Sequence, residues 1–214
     1  MTRFVDRADA AEALADRLAQ MDLQDPVILA LPRGGVPIGR VVADRLGAPL
    51  DLVMVRKIGV PGNPELAAAA VVNGAAPEIV VNESVMAMAH LDRAEIDRLA
   101  ETQLDEIRRR RVLYLAGRAP LPVAGRTAVV VDDGIATGAT VRAALKAVTR
   151  RKAARVVLAV PVAPPDTVAR LEGAVDDLVC LTVPQAFWAV GQAYHRFEQV
   201  SDDEVVRLMG ASAG

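Results

Sequence analysis

Cysteine, histidine, serine and lysine are all scarce in this chain of 214 residues, and each scarcity removes a class of chemistry. The single cysteine, Cys180, cannot close an internal disulfide, and its setting in Leu178-Val-Cys-Leu-Thr182 suits a small core residue of a cytoplasmic protein. The two histidines, His90 and His195, stand far apart with no cysteine cluster near either, so a zinc site is not expected. The three serines, Ser84, Ser201 and Ser212, lie in no Gly-x-Ser-x-Gly elbow and suggest no hydrolase triad. No apolar run is long enough to span a bilayer, and Met1-Thr-Arg-Phe-Val-Asp6 lacks the apolar stretch of a signal peptide. A formal charge of −2 argues against a general nucleic-acid surface. Lysine occurs only at Lys57, Lys146 and Lys152 among 25 basic residues, which makes each of those positions informative.

What is present is an alternation of strand and helix signals in a length that fits one domain, or one domain with a small appendage. Arg7 to Gln20 has helical spacing, with Ala11, Leu14, Leu18 and Met21 on one face. Val27 to Leu31 reads as the first core strand. Pro32-Arg33-Gly34-Gly35 breaks it, and Val36 to Leu46 is a helix closed by Gly47. Asp51 to Lys57 reads as one second strand. Leu66 to Val72 and Glu78 to Asn82 read as a β-hairpin joined by a tight turn at Asn73-Gly74. A long helix from about Asp92 to Tyr114 starts on a capping box, Asp92 with Glu95, and ends on Arg108 to Arg111. Beyond it follow a strand and helix from Val129, a strand over Arg155 to Val160, a helix near Thr167 to Leu171, and a strand over Leu178 to Val183. A last helix is capped by Ser201 with Glu204. This order predicts a parallel α/β core.

The richest segment is Val129-Val-Val-Asp132-Asp133-Gly134-Ile135-Ala136-Thr137-Gly138-Ala139-Thr140. Consecutive β-branched residues suit a strand covered on both faces. Two acids follow at the strand's carboxyl end, where open α/β sheets bind ligands. Small residues then let backbone amides wrap an anion at a helix N-terminus. Acids that accept from sugar hydroxyls, beside amides that donate to phosphate, describe a site for a phosphorylated pentose. A Walker loop is excluded because Ala139 stands where lysine is needed, and Gly134 to Gly138 has the wrong spacing for a dinucleotide fingerprint.

This segment resembles the phosphoribosyl-pyrophosphate (PRPP) motif of type I phosphoribosyltransferases. The resemblance implies an α/β fold with a parallel-sheet phosphoribosyltransferase core, helices on both faces, an inserted β-hairpin plus long helix, and a small C-terminal hood. It divides the chain into 1–58 (first half of the core), 59–124 (inserted hairpin and helix), 125–183 (core with the motif) and 184–214 (hood and tail). It assigns Asp132 and Asp133 to the ribose hydroxyls, and Gly134, Ile135, Ala136, Thr137, Gly138, Ala139 and Thr140 to the 5′-phosphate. It also makes Leu31-Pro-Arg33-Gly34-Gly35-Val36 the pyrophosphate loop, with Arg33 as charged clamp, and Lys57 a further pyrophosphate contact. Mg2+ is the implied cofactor, held mainly by substrate oxygens with Asp132 and Asp133 as indirect ligands.

Departures from relatives bear on the acceptor. Ala136 stands where hypoxanthine–guanine-type enzymes carry an aspartate facing the purine, and Val160-Pro-Val-Ala-Pro164 lacks their lysine. Phe187 and Trp188, in a tail holding most of the aromatics, either stack a base or anchor the tail to the core. The run Arg56-Lys-Ile-Gly-Val-Pro-Gly-Asn-Pro-Glu65 and the tail resemble a bacterial group known only as predicted phosphoribosyltransferases. The expected partners are therefore PRPP and a small-molecule acceptor, with neither nucleic acid nor membrane, and room for a homodimer. A non-catalytic PRPP or nucleotide sensor and a hydrolase of a phosphoribosyl compound use the same residues and stay open at this point.

Overall fold

Apolar β-branched runs build the centre of the molecule, a five-stranded parallel sheet in the order β2-β1-β6-β7-β8. Its strands are β1 (Pro26–Ala30), β2 (Leu50–Leu52), β6 (Thr127–Val131), β7 (Arg155–Val162) and β8 (Asp177–Thr182). The computed structural model describes residues 3–73 and 78–210. Alternate residues of each strand face opposite layers, as a period of two requires. Ile28, Ala30, Val129, Val131, Val157 and Ala159 pack with α1 (Arg7–Ala19) and α2 (Gly35–Leu46). Val27, Leu29, Ala128, Val130, Leu158 and Val160 pack with α5 (Ala139–Arg150) and Leu171 of α6 (Pro165–Glu172). The parallel α/β core with helices on both faces is the architecture expected from the sequence.

The second strand differs from its sequence reading. Asp51 to Lys57 is two strands, because β2 stops at Leu52 and β3 (Val55–Val60) joins a separate antiparallel sheet with β4 (Asn63–Val72) and β5 (Glu78–Val81). Asn73 makes the break. Its side chain, 2% exposed, accepts from the Met54 amide at 2.6 Å and donates to the Leu52 carbonyl at 3.1 Å. Those two bonds satisfy backbone groups that would be orphaned where one ladder ends and another begins. Asn73 is thus a buried staple between the ends of the two sheets. The hairpin pairing itself is present, with Val72 opposite Glu78, as the expected strands have it. Gly74 of the expected turn lies outside the described residues.

A short helix, α3 (Glu83–Met88), follows β5 and was not legible in the sequence. The long α4 (Arg93–Leu115) starts on the expected box: the Glu95 amide donates to Asp92 Oδ1 and the Asp92 amide to Glu95 Oε2. It packs against β3, β4 and α7 (Asp202–Gly210), whose start is capped by Ser201 accepting from the Glu204 amide.

Close approach of α2 to the sheet positions the loop before it. A Cβ on Gly39 would lie 2.9 Å from Ala30 Cβ, 3.1 Å from Leu50 Cδ1 and 3.2 Å from Val131 Cγ2. Gly39→Val is therefore expected to destabilise the protein by about 1–3 kcal/mol through overpacking. Urea unfolding measures this, and a wild-type midpoint would show that α2 is not seated so tightly.

Candidate active site at the tips of two central strands

β1 and β6 are parallel neighbours, with Ala30 opposite Val131, so the loops that leave them emerge side by side. The first is Leu31 to Gly34, which contains a cis Pro32–Arg33 peptide and opens α2; the second is Asp132 to Gly138, which opens α5. The two loops touch where neither carries a side chain in the way. A Cβ on Gly34 would fall 2.1 Å from Asp133 Oδ2, and one on Gly35 would fall 2.7 Å from the Val131 carbonyl oxygen. The glycine pair is required by this contact between loops, and the Gly35 amide is itself spent on the Leu31 carbonyl at 3.0 Å.

The two acids have different surroundings. Asp133 is 9% exposed, and its Oδ2 accepts from Arg7 Nε at 2.8 Å and faces Arg7 Nη2 at 2.8 Å. Its carbonyl accepts from the Tyr194 hydroxyl at 2.5 Å. Among the described residues Asp132 has no cation in bonding contact; its Oδ1 accepts from the Asp133 amide at 2.9 Å. Burial, then the neighbouring Asp133 charge, holds the Asp132 carboxyl well above the usual carboxylate range. Burial also raises Asp133, with the Arg7 guanidinium pulling the other way. Arg7 additionally donates to the Glu198 carbonyl at 2.6 Å and lies 4.0 Å over the Phe197 ring. Arg7 gave no signal in the sequence, because an arginine early in a surface helix is indistinguishable from solvated charge until the fold brings residue 133 to it.

The loop after the acids is an amide cradle. Among the described residues, the amides of Ala136, Thr137, Gly138, Ala139 and Thr140 donate to no protein acceptor, and Gly138 enters α5 with φ 75°. Ile135 is different: its side chain is 3% exposed in the core and its amide donates to the Val162 carbonyl at 2.9 Å. The Ala136 carbonyl is held by the Thr167 hydroxyl at 2.7 Å, which fixes the loop from α6. A cradle of free donors at the start of a 12-residue helix suits a phosphate dianion.

The remaining expected residues are placed less directly. Arg33 pairs with Asp202 of α7 at 3.6 Å, and Asp202 also accepts from the buried Tyr114 hydroxyl at 2.5 Å. Burial and that bond push the Tyr114 phenol up to about 12. Lys57 is exposed on β3 of the antiparallel sheet, not at the end of a core strand, and lines a cavity shared with Arg142 and Lys146 of α5. Phe187 packs against the core while Trp188 is 89% exposed. The residue brought over the acid loop is Val190, in a short 3-10 turn over Val190–Ala193: a Cβ on Gly134 would lie 2.5 Å from its Cγ1. Tyr194 and Phe197 stack at 4.9 Å and pair with the N-terminal segment, where the Phe4 amide donates to the Ala193 carbonyl. Those two aromatics anchor the tail.

No group of three or more His, Cys, Asp or Glu side chains could hold a metal among the described residues. With Asp133 engaged by Arg7, a divalent ion would find Asp132 as its main protein oxygen. A donor set this small fits an ion carried chiefly by phosphate and sugar oxygens.

Comparison with known proteins agrees with the geometry. The phosphoribosyl transferase domain matches residues 5–198. A Mycobacterium tuberculosis protein provisionally named a phosphoribosyl transferase is 50% identical over 209 residues, 98% of this chain and 47% of its own length. The chain therefore spans about half the length of the curated relatives it matches. The crystal structure of TT1426 from Thermus thermophilus superposes with a TM-score of 0.86 at 44% identity, covering 97% of this chain and 98% of that one. No helix among the described residues is long and apolar enough to cross a membrane.

The raised Asp132 carboxyl makes the site a stability cost at neutral pH. A folded-state value above the unfolded one (about 3.9) means that stability is highest below the unfolded value and is lost as pH rises through the folded one. Asp132→Asn removes that charge and is expected to raise Tm at pH 7 by about 2–4 °C, the shift that corresponds to ~1 kcal/mol at this size. The gain should vanish below about pH 4, where both proteins are uncharged at this position. Scanning calorimetry from pH 3 to 8 tests it, and a lowered Tm at pH 7 would overturn the assignment.

Proposed function

The chain belongs to the phosphoribosyl transferase domain family, and on that premise we propose that it transfers the 5-phosphoribosyl group of PRPP to a nitrogen of a small acceptor. In this reaction the C1–O bond of the sugar breaks, its electron pair leaves with pyrophosphate, and the acceptor's lone pair forms the new C1–N bond. The observation that carries the reading is the row of undonated amides from Ala136 to Thr140 set directly beyond the paired acids of β6.

The chain's own groups supply positioning and charge. The cradle amides, with the hydroxyls of Thr137 and Thr140, hold the 5′-phosphate at the positive end of α5. Asp132, whose second oxygen meets no cation, accepts from a ribose hydroxyl; Asp133, tied to Arg7, serves mainly to keep the two strand tips together and accepts at its remaining oxygen. The Gly34 amide is offered to the leaving pyrophosphate, while the Gly35 amide, which donates to the Leu31 carbonyl at 3.0 Å, holds the loop in shape; Arg33 turns to the pyrophosphate from Asp202, an exchange made easy because a half-exposed pair at 3.6 Å contributes little. Magnesium, bound with the substrate, would neutralise charge on the leaving group. The hood contributes Val190 above Gly134 and the projecting Trp188 as the surface that meets a flat acceptor.

Incubation with Mg2+, PRPP and a panel of nitrogenous bases, with pyrophosphate as the readout, tests the reaction. Base-dependent release is expected. Base-independent release would make the protein a hydrolase, and tight PRPP binding without turnover would make it a sensor. Asp132→Asn combined with Asp133→Asn should weaken PRPP binding about 100-fold or more, since a hydrogen bond to a charged group contributes about 1.5–3 kcal/mol. Unchanged affinity in a folded double variant would refute the sugar site. Trp188→Ala should weaken acceptor binding and leave PRPP affinity and Tm unchanged, because its ring is exposed rather than packed; a fall in Tm would identify the ring as an anchor instead.

A further inference from the structure

Two of the chain's three lysines line the same cavity. The cavity is about 390 Å³ and lies between the antiparallel sheet and the first two turns of α5. Lys57 reaches it from β3, Arg142 and Lys146 reach it from α5, and among the described residues Glu83 is the one acid on its wall. Among the described residues none of the three cations has a hydrogen-bonding or ion-pair partner, whereas most arginines of this chain are paired with acids. Three unpaired positive side chains around one depression, in a protein of formal charge −2, create a local positive field that repels itself until an anion enters. Two ammonium groups and a guanidinium suit an oxyanion, and three cations around one depression match the multiple charge of a phosphate better than the single charge of a carboxylate.

The rest of the lining constrains the ligand further. Ala67, Ala69, Ala70 and Val80 form a low apolar wall on the sheet side. A volume near 390 Å³ lies in the range of small-molecule sites and exceeds what a bare phosphate fills. Ala139 and Arg142 also line a smaller neighbouring depression with Thr137, Gly138 and Arg170, so the cavity backs onto the outer side of the amide cradle. We propose that Lys57, Arg142 and Lys146 bind a second ligand, a small organic phosphate, at a site separate from the sugar site at the strand tips. This replaces the pyrophosphate role expected of Lys57, and it stands whether or not the protein turns over PRPP.

The scarcity of lysine makes the test direct. Pyridoxal 5′-phosphate carries both a phosphate and an amine-reactive aldehyde, and borohydride fixes the adduct it forms with lysine for mapping by mass spectrometry. With the full chain, Lys146 and Lys57 should label about tenfold faster than Lys152, because a held phosphate raises the local aldehyde concentration. Adenosine 5′-monophosphate should protect both lysines, and should protect them equally in Asp132→Asn, which impairs the strand-tip site. Arg142→Ala should remove the excess labelling of Lys146 while leaving PRPP affinity unchanged. Equal labelling of all three lysines would overturn the proposal. Loss of protection in Asp132→Asn would do so too, because the nucleotide would then be acting from the sugar site. Protection by inorganic phosphate but not by the nucleotide would overturn the organic-phosphate assignment.

Discussion

The structure depends on contact between two loops that leave adjacent central strands. β1 and β6 run parallel in register, and their tips meet with Gly34 under the Asp133 carboxylate and Gly35 against the Val131 carbonyl. A methyl group at either position would push the loops apart. The helices beyond them, α2 and α5, have their amino ends at the same rim, so one contact brings together two helix starts, the amide cradle before α5 and an acid pair. Positive helix ends and paired carboxylates at one rim suit a ligand with anionic ends and a hydroxyl-bearing middle. Distances set by main-chain packing vary less than those set by long side chains, which is why such a site is built on strand tips.

Holding two carboxylates together without a ligand costs free energy, and the fold limits that cost with one distant cation. Arg7 pairs with Asp133, lies over Phe197 and bonds to the Glu198 carbonyl, so a single side chain joins α1, the acid loop and the tail. Asp132 feels the Arg7 charge only at a distance, with no direct ion pair among the described residues, and stays raised by burial and by Asp133. The division ties one member of the pair into the architecture and leaves the other without a direct ion pair, and burial raises both carboxyls above their ordinary range.

Local signals were legible in the sequence where neighbouring residues settle the outcome. The β-branched run ending in Asp132-Asp133, the glycine stop at Gly47, the box at Asp92 with Glu95 and the cap at Ser201 all act within a few residues, and each element begins or ends accordingly. Where tertiary partners decide, the reading failed. Asp51 to Lys57 looked like one strand because its apolar character continues through Val53 and Met54, while the break comes from Asn73, which reaches both Leu52 and Met54. Lys57 was consequently placed at the end of a core strand. Arg7 was invisible as a site residue because its partner lies 126 positions away. The aromatic tail was ambiguous in sequence for the same reason: Tyr194 is buried, and Phe197 lies under the Arg7 guanidinium at the surface, only because residues 4 to 7 are there to receive them.

The pairing of Phe4 with Tyr194, and of Arg7 with both Asp133 and Glu198, also has a consequence for biosynthesis. Contacts across 191 positions are among the slowest a chain can form, since loop closure must precede any gain from them. A nascent chain can therefore assemble β1, β6 and both turns while Arg7 still waits for its tail partners. During that interval the acid pair is roofless and open to water. The covered form of the acid loop arises only when residues 190 to 198 have left the ribosome and paired with residues 4 to 7, so the earlier segment waits for one made much later before the loop is roofed.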